Sequence, residues 1–402
     1  MANSKVSKSL KIVQMHWGFP PTIGGVETHL TLIGPALVRR KHKVYLLTGL
    51  PPDTPVEEDY KGMKVMRTPY FDLNWLSKRG FEGLETHIKE YMFGALDKIK
   101  PDIIHAHNMH YFSTVHGKLL NEYAKSNKIP LVLTAHNVWD DGLFLELTTK
   151  IVKWNHIIAV SQFIKDELCG IGLKEKDVTV VYHGVDINHF KPAAPSAEII
   201  KKYPQLKGRK VIFHPARMGL AKGCDTSIKA MPEVVKQVPK AMLVLCGTKH
   251  IIDWNSTQEK DIAYLLHLVK VLKLENNVFV NMIPHKIIHK FYNISSVSLY
   301  PSSAFEPFGI TMLESLASGV PMVVTDAGGM PEIIKEGLNG FVVRAKRHLE
   351  LADRIIRLLK DDELRKRLGE NGREMVNSNF TVDKMTDDTL KIYESVLKKG
   401  SK

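Results

Sequence analysis

The chain has 402 residues, 44% of them apolar and 25% charged, with a formal net charge of +13. That length is too great for one ordinary core and suits two domains. No apolar run nears the roughly 18–20 residues of a transmembrane helix, and the three scattered cysteines (Cys169, Cys224, Cys246) form neither a disulfide framework nor a metal-ligand spacing, which fits a reducing cytoplasm.

The charge is uneven: residues 1–190 carry +3 and the remainder +10. An anionic partner follows, whether a nucleotide, a phosphorylated acceptor or an anionic membrane surface, with general solubility as the plain alternative. Nucleic acid is disfavoured, because zinc-finger spacing, an RRM signature and aromatic–basic interleaving are all missing.

In chain order, the opening MANSKVSKSLKIV has charge but no apolar signal core, and reads as a polar lead into a first strand, KIVQMHW. The loop FPPTIGGVETH follows. Its adjacent Gly24 and Gly25 let backbone approach a phosphate or sugar without a Cβ clash, and Glu27 begins the next helix. Strands HKVYLLTG and MKVMRTP come next. In the stretch from Asn74 to Lys100, Trp75, Phe81, Leu84, Ile88 and Phe93 could form an apolar stripe beside Lys78 and Arg79 on a membrane surface; the plainer reading is a helix packed on the first sheet.

DIIHAHN and PLVLTAHN then end two strands in His-Asn pairs, bringing His105, His107, His110 and His136 into view. Clustered imidazoles could hold zinc. No cysteine or acid completes an evident set, however, so histidines that hydrogen-bond a polar substrate are the preferred reading, and the expected metal content is none. HIIAVS and VTVVYHG close the first series of strands.

A proline- and lysine-rich pause, Phe190 to Gly208, precedes the second series: KVIFHPA, AMLVLCG, NVFVNM, SVSLYPS and PMVVTDA. Strand–helix alternation on both sides of the pause predicts two doubly wound, Rossmann-like parallel sheets, with ligands outside the C-terminal strand edges and an interdomain cleft between them. Neither half opens with GxGxxG, so a dinucleotide cofactor is not supported.

After KVIFHPA, Arg217 and Lys222 stand five residues apart in a glycine-containing loop, two cations suited to a leaving diphosphate or simply a basic turn. In EPFGITMLE, Pro307 and Gly309 predict a helix start, where the amides of Gly309, Ile310 and Thr311 face an anion. Glu306 precedes that helix and Glu314 lies within it. A phosphate flanked by two carboxylates suits a nucleotide sugar, with Glu306 on the sugar hydroxyls and Glu314 on the ribose. On spacing alone, a helix cap beside a solvated glutamate is the preferred reading. The chain ends in an amphipathic pattern, VDKMTDDTLKIYESVLKK.

Taken together, the GGVE loop, DIIHAHN, LTAHN, AVSQFIKDEL, VVYHGVDINHF, the Arg217/Lys222 pair, EPFGITMLE (an E-x7-E motif) and GVPMVVTDAGGMPEII resemble retaining glycosyltransferase family 4 over nearly the whole chain. The resemblance implies the GT-B fold: an acceptor domain over 1–190, a nucleotide-sugar domain over 191–380, and a last helix, 381–402, crossing back to the first.

It also implies metal-independent hexosyl transfer by front-face substitution from a nucleotide sugar, with UDP as the default base and GDP or ADP as alternatives. No cofactor is then required. The acceptor would be a small molecule, a glycan or a lipid-linked hydroxyl, and the setting cytoplasmic, with peripheral contact at the inner membrane face as an added option. By position, Glu306, Arg217, Lys222, His107 and His136 would carry the chemistry, while Gly24, Gly25, Gly309, Ile310, Thr311 and Glu314 would hold the donor. The sequence departs from the family pattern at His183, where many members have Asn, and at Thr248 and Lys249 in LCGTKHIID. A sugar-nucleotide epimerase or a non-catalytic sugar-nucleotide-binding protein are the competing readings.

Overall fold

The computed structural model describes residues 9–247 and 258–400. Thr248 and Lys249 therefore lie outside the described residues. The chain divides into two compact units, residues 1–182 with 382–402 and residues 183–381, a further short segment (252–254) also falling outside the description.

The first unit is built on an eight-stranded sheet: β1 (Lys11–Met15), β2 (Lys43–Gly49), β3 (Glu57–Tyr60), β4 (Met63–Thr68), β5 (Ile103–His107), β6 (Leu131–Ala135), β7 (His156–Ala159) and β8 (Val178–Val180), in the order β3-β4-β2-β1-β5-β6-β7-β8. Its central strands β5 and β6 are buried along their whole length, as a parallel sheet covered on both faces requires. The exception to parallel pairing is β3, which runs antiparallel to β4 at the edge. The two are joined by Lys61 and Gly62, both at positive φ, the backbone of a tight two-residue hairpin. The polar EEDY of β3 has no apolar alternation, so the strand is invisible to pattern reading and is set by the turn.

The last helix, Val382–Gly400, packs in this first unit against the helix Gly25–Arg39. Met385, Ile392, Tyr393 and Val396 share one core with Leu30, Ile33 and Leu37, and Arg40 pairs with Asp383 and Asp387 at the rim. The segment read as a helix packed on the first sheet, with a membrane-facing stripe as the alternative, forms two helices, Leu73–Arg79 and Glu85–Ile99, parted by Gly80 and Gly83 at positive φ. Leu84 and Ile88 turn into the core, Trp75 packs on Tyr70, and Phe93 on Tyr123. Leu84 and Ile88 are thus spent on the core, while Trp75, Phe81 and Phe93 are half-buried. Among the described residues no helix is long and apolar enough to cross a membrane.

The second unit carries a six-stranded parallel sheet: β9 (Lys210–Pro215), β10 (Ala241–Gly247), β11 (Val278–Met282), β12 (Ser295–Tyr300), β13 (Met322–Thr325) and β14 (Gly340–Val343), in the order β11-β10-β9-β12-β13-β14. The short β14 was not expected from the sequence. It is added to the edge by pairing with β13, where Gly340 is needed because a Cβ there would stand 2.2 Å from the Met322 carbonyl oxygen.

Both sheets reverse their winding once, between β1 and β5 in the first and between β9 and β12 in the second. At such a point the loops leaving the two strands diverge, and ligands of open α/β sheets bind in the opening.

Candidate functional site

In the second unit, the reversal point is closed by two loops that meet. After β9 the chain makes a short turn, Leu220–Lys222, and enters the helix Cys224–Gln237 through Gly223 at φ 74°. A Cβ at Gly223 would stand 1.8 Å from the Pro301 carbonyl oxygen, so only glycine lets this loop reach the end of β12. Ser302 Oγ and Ser303 N both donate to the Ala221 carbonyl, stitching the loops together. Lys222 is thereby set beside Glu306: Nζ to Oε2 is 2.6 Å, and the Tyr300 hydroxyl donates to the same carboxylate oxygen at 2.9 Å. Burial disfavours the Lys222 charge, but Glu306 and Tyr300 outweigh it and hold its pKa above the usual value.

The backbone of Glu306 is clamped from the other side by the glycine pair of VTDAGG. Glu306 bridges Gly328, and Gly329 N donates to the Glu306 carbonyl at 2.8 Å. Gly328 has φ 68°, and a Cβ there would lie 2.3 Å from the Glu306 carbonyl oxygen.

Downstream, the helix Ile310–Ala317 begins at Gly309, whose φ of 81° suits glycine. No side chain caps this end, so the amides of Gly309, Ile310 and Thr311 stand where intrahelical acceptors are lacking. Glu314 is not a solvated carboxylate. It is 3% exposed and accepts a hydrogen bond from Tyr292 at 2.9 Å; burial pushes its pKa up to about 7, with the Tyr292 bond pulling the other way. Arg217 is exposed, just beyond the end of β9. The structure thus joins Lys222 directly to Glu306, seats Glu314 on Tyr292, and leaves Arg217 at the surface.

In the first unit, the reversal point holds a group of histidines. His107 ends β5, and His136 directly follows β6; their rings meet through Nδ1 of His107 and Nε2 of His136, 3.0 Å apart. His107 Nε2 is bonded to Gln14 Oε1 of β1. His16, just after β1, bonds the His107 carbonyl through Nδ1 and Glu27 through Nε2, each at 3.0 Å. His29 lies over both His107 and His136, with ring centroids about 5 Å away. Burial, followed by the neighbouring imidazoles, holds His107 well below the usual histidine pKa; burial alone lowers His105 to about 3.

The ligand nitrogens of His29, His107 and His136 lie within 4.8 Å of one another, a spacing that a metal ion could use. His107 Nδ1 and His136 Nε2 already bond each other at 3.0 Å. Gly24 and Gly25 form the start of the helix Gly25–Arg39. A Cβ at Gly24 would strike Glu27 Oε2 at 2.4 Å, whereas one at Gly25 would meet nothing within 4 Å, so the approach to that helix start is open.

Six contributors were not singled out in the sequence: Gln14, His16, His29, Tyr292, Tyr300 and Tyr393. Most of their contacts join separate elements, and Tyr393 reaches Gln14 from the other end of the chain. The one short-range signal was the Tyr300–Glu306 spacing across the strand end.

Comparison with known proteins places both halves. Residues 23–189 match the family model for Glycosyltransferase Family 4, and residues 195–375 that for Glycosyl transferases group 1. An uncharacterized glycosyltransferase of Methanocaldococcus jannaschii is 28% identical, the match covering 96% of this chain and 98% of that protein. The sucrose-phosphate synthase of Thermosynechococcus elongatus superposes with a TM-score of 0.81 at 20% identity, covering 96% of this chain and 99% of that one. Anabaena HepE, solved in complex with UDP and glucose, superposes with a TM-score of 0.75 at 21% identity, covering 96% and 100%. The fold is therefore that of the GT-B glycosyltransferases.

Proposed function

We propose that this chain, which has the GT-B fold, transfers a hexosyl group, with retention, from a UDP-sugar to a hydroxyl acceptor. The observation that carries this reading is the Lys222–Glu306 pair at the reversal point of the second sheet, next along the chain to the uncapped amides of Gly309 to Thr311. A diphosphate competes with Glu306 for Lys222. As Lys222 turns to the phosphates, Glu306 is released to accept hydrogen bonds from sugar hydroxyls, still oriented by Tyr300.

In the transfer step, the acceptor oxygen bonds to the anomeric carbon as the bond from that carbon to the diphosphate breaks. The acceptor's proton passes to the departing phosphate oxygen, and the nucleoside diphosphate leaves. Lys222 and Arg217 stabilise the charge that develops there, so the cationic complement is supplied by side chains and the reading needs no divalent ion. UDP is chosen because HepE, which shares the fold, was solved with UDP and glucose; the base and sugar of this chain's own donor are set by the test.

That test is a thermal-shift screen of UDP-, GDP- and ADP-sugars. Donor at a hundred times its dissociation constant raises stability by about 2.7 kcal/mol. The expected result is a shift with UDP-sugars, then nucleotide release that depends on an added hydroxyl acceptor. Conversion of donor without acceptor would replace transfer by epimerisation, binding without any turnover would leave only a carrier, and no shift with any nucleotide sugar would end the reading.

A further inference from the structure

At the C-terminal edge of the first sheet, the loops that leave β5 and β6 meet through their aromatic residues. Tyr111 and Phe112 come from the first loop and Trp139 from the second. The rings of Tyr111 and Trp139 stack, with centroids 4.1 Å apart and planes 7° apart, and Phe112 stands edge-on to both, at 4.7 and 5.6 Å. All three are half-buried, so each leaves part of its ring at the surface. Phe112 holds its place at φ 77°, a region where a bulky residue is strained. The fold accepts that strain at a ring it does not fully bury, the pattern of a loop shaped for contact rather than for packing.

The charge around these rings departs from that of the chain. Residues 108–117 and 137–149 hold no Lys or Arg, and the second stretch holds Asp140, Asp141 and Glu146, in a chain of net charge +13. Asp140 and Asp141 are exposed. The Tyr111 hydroxyl donates to Asp141 Oδ2 at 2.6 Å, and Asp141 Oδ1 accepts from the Phe144 amide at 2.9 Å, so the carboxylate is fixed beside the rings. The bond to Asp141, ahead of burial and the two carboxylate charges, pushes the Tyr111 pKa up to about 12, and the hydroxyl remains a donor at neutral pH.

Surface rings edged by carboxylates match a ligand with apolar C–H faces, a rim of hydroxyls and no negative charge. The C–H face lies on the rings, and the hydroxyls donate to ionised acceptors, which make the stronger hydrogen bonds. A phosphorylated ligand would bring like charges together. An alkyl chain would strip water from Asp140 and Asp141 and return no hydrogen bond.

We propose that Tyr111, Phe112, Trp139, Asp140 and Asp141 form a binding site for an uncharged sugar, and that this sugar is the hydroxyl acceptor of the transfer. The acceptor role rests on the proposed transferase reading; the sugar site does not.

The test is saturation-transfer NMR on the full chain without donor. The probes are the methyl glycosides of glucose, mannose, galactose and N-acetylglucosamine, beside the 6-phosphates of the same sugars. At least one glycoside is expected to bind, and to bind more tightly than its 6-phosphate. Trp139→Ala is expected to weaken that binding roughly tenfold, the effect of losing one anchoring aromatic. Should that variant not fold, Asp140→Lys, at an exposed position, is expected to reverse the preference and favour the 6-phosphate. Binding of no glycoside, preference for the phosphate in the unmodified chain, or unchanged binding in Asp140→Lys overturns the site. Binding of octyl glucoside without methyl glucoside would give the rings to an alkyl tail and overturn it as well. With the nucleotide sugar that shifts the melting temperature as donor, Trp139→Ala is expected to raise KM for the bound glycoside and leave the donor KM unchanged. Transfer to that glycoside with both KM values unchanged overturns the site and leaves the transferase reading standing. A glycoside held at Trp139 by a chain that transfers to no hydroxyl sinks the transferase reading and leaves the sugar site standing.

Discussion

Lys222 Nζ lies 2.6 Å from Glu306 Oε2, so the cation expected at a diphosphate and the carboxylate expected at a sugar hold each other in place across the point where the second sheet reverses. Glu306 is 8% exposed and Lys222's side chain 24%. A pair so placed is positioned by its partners and still within reach of a competing anion.

Lys222→Met removes the cation while keeping much of the stem. Transfer is expected to fall by about 10²–10³-fold, the loss seen when one donor to a developing anion is removed. The variant also leaves Glu306 with Tyr300 as its donor in a mostly buried place, so the melting temperature should drop; adding Glu306→Gln should restore stability but not turnover. Steady-state rates at saturating donor and thermal melts of the single and double variants check this. Turnover near that of the unmodified chain in Lys222→Met would remove Lys222 from the mechanism.

Gly328→Ala tests the clamp behind Glu306. A methyl group there would sit 2.3 Å from the Glu306 carbonyl oxygen, on a backbone already at φ 68°. Gly337→Ala is the control: its φ of 72° carries a similar backbone strain of roughly 1–3 kcal/mol, but nothing lies within 4 Å of the added atom. Both variants should lose stability, while Gly328→Ala alone should lose most of its donor binding. Equal effects in calorimetric titration would show that the close approach to Glu306 has no part in holding it.

These glycines mark how far the sequence could be read. The turn carrying Lys222, the helix start at Gly309 and the strand ends at His107 and His136 are local: glycine placement and β-branched runs set them, and both are written in neighbouring residues. What joined them was not. The Lys222–Glu306 bond spans 84 positions, and the Tyr393–Gln14 bond spans 379. Glu314 shows the same limit: its place within a helix followed from spacing, but its burial against Tyr292 depends on how the helix Ile288–Tyr292 packs against it. The edge strand β3 escaped because its polar residues carry no alternation and its pairing follows from the Lys61–Gly62 turn.

Glu314→Gln should change how stability depends on pH. The carboxyl's pKa is raised by burial from 4.5 to about 7. Between those values the folded chain keeps a proton that the unfolded chain has lost, so stability falls as pH rises through this window, by roughly 3 kcal/mol in all. Glutamine has no proton to lose. The variant's urea midpoint should therefore decline less from pH 5 to pH 8, and at pH 8 it should exceed that of the unmodified chain. Parallel curves for the two proteins would mean that Glu314 is ionised at no such cost.

Buried neutral histidines give the opposite slope, and they are not shared equally. Burial is the leading cause that lowers His105 to about 3 and His110 and His116 to about 4 in the first unit, and His183 and His214 to about 3 in the second. His42 on one side and His285 and His289 on the other are lowered as well. Below the ordinary value of 6.5 the unfolded chain takes up protons that these rings refuse, so stability is lost as pH falls. At pH 5 each of the five has given up about 2 kcal/mol, roughly 6 in the first unit against roughly 4 in the second. His107, held well below its usual value, adds to the first. Glu314, protonated at pH 5, returns roughly 2–3 kcal/mol to the second. Acid should therefore open the first unit before the second. Hydrogen exchange at pH 5, mapped by mass spectrometry, should show protection lost in β5 and β6 while β9 and β12 keep theirs. Loss in β9 and β12 first would mean that the buried imidazoles do not govern the acid limit of this fold.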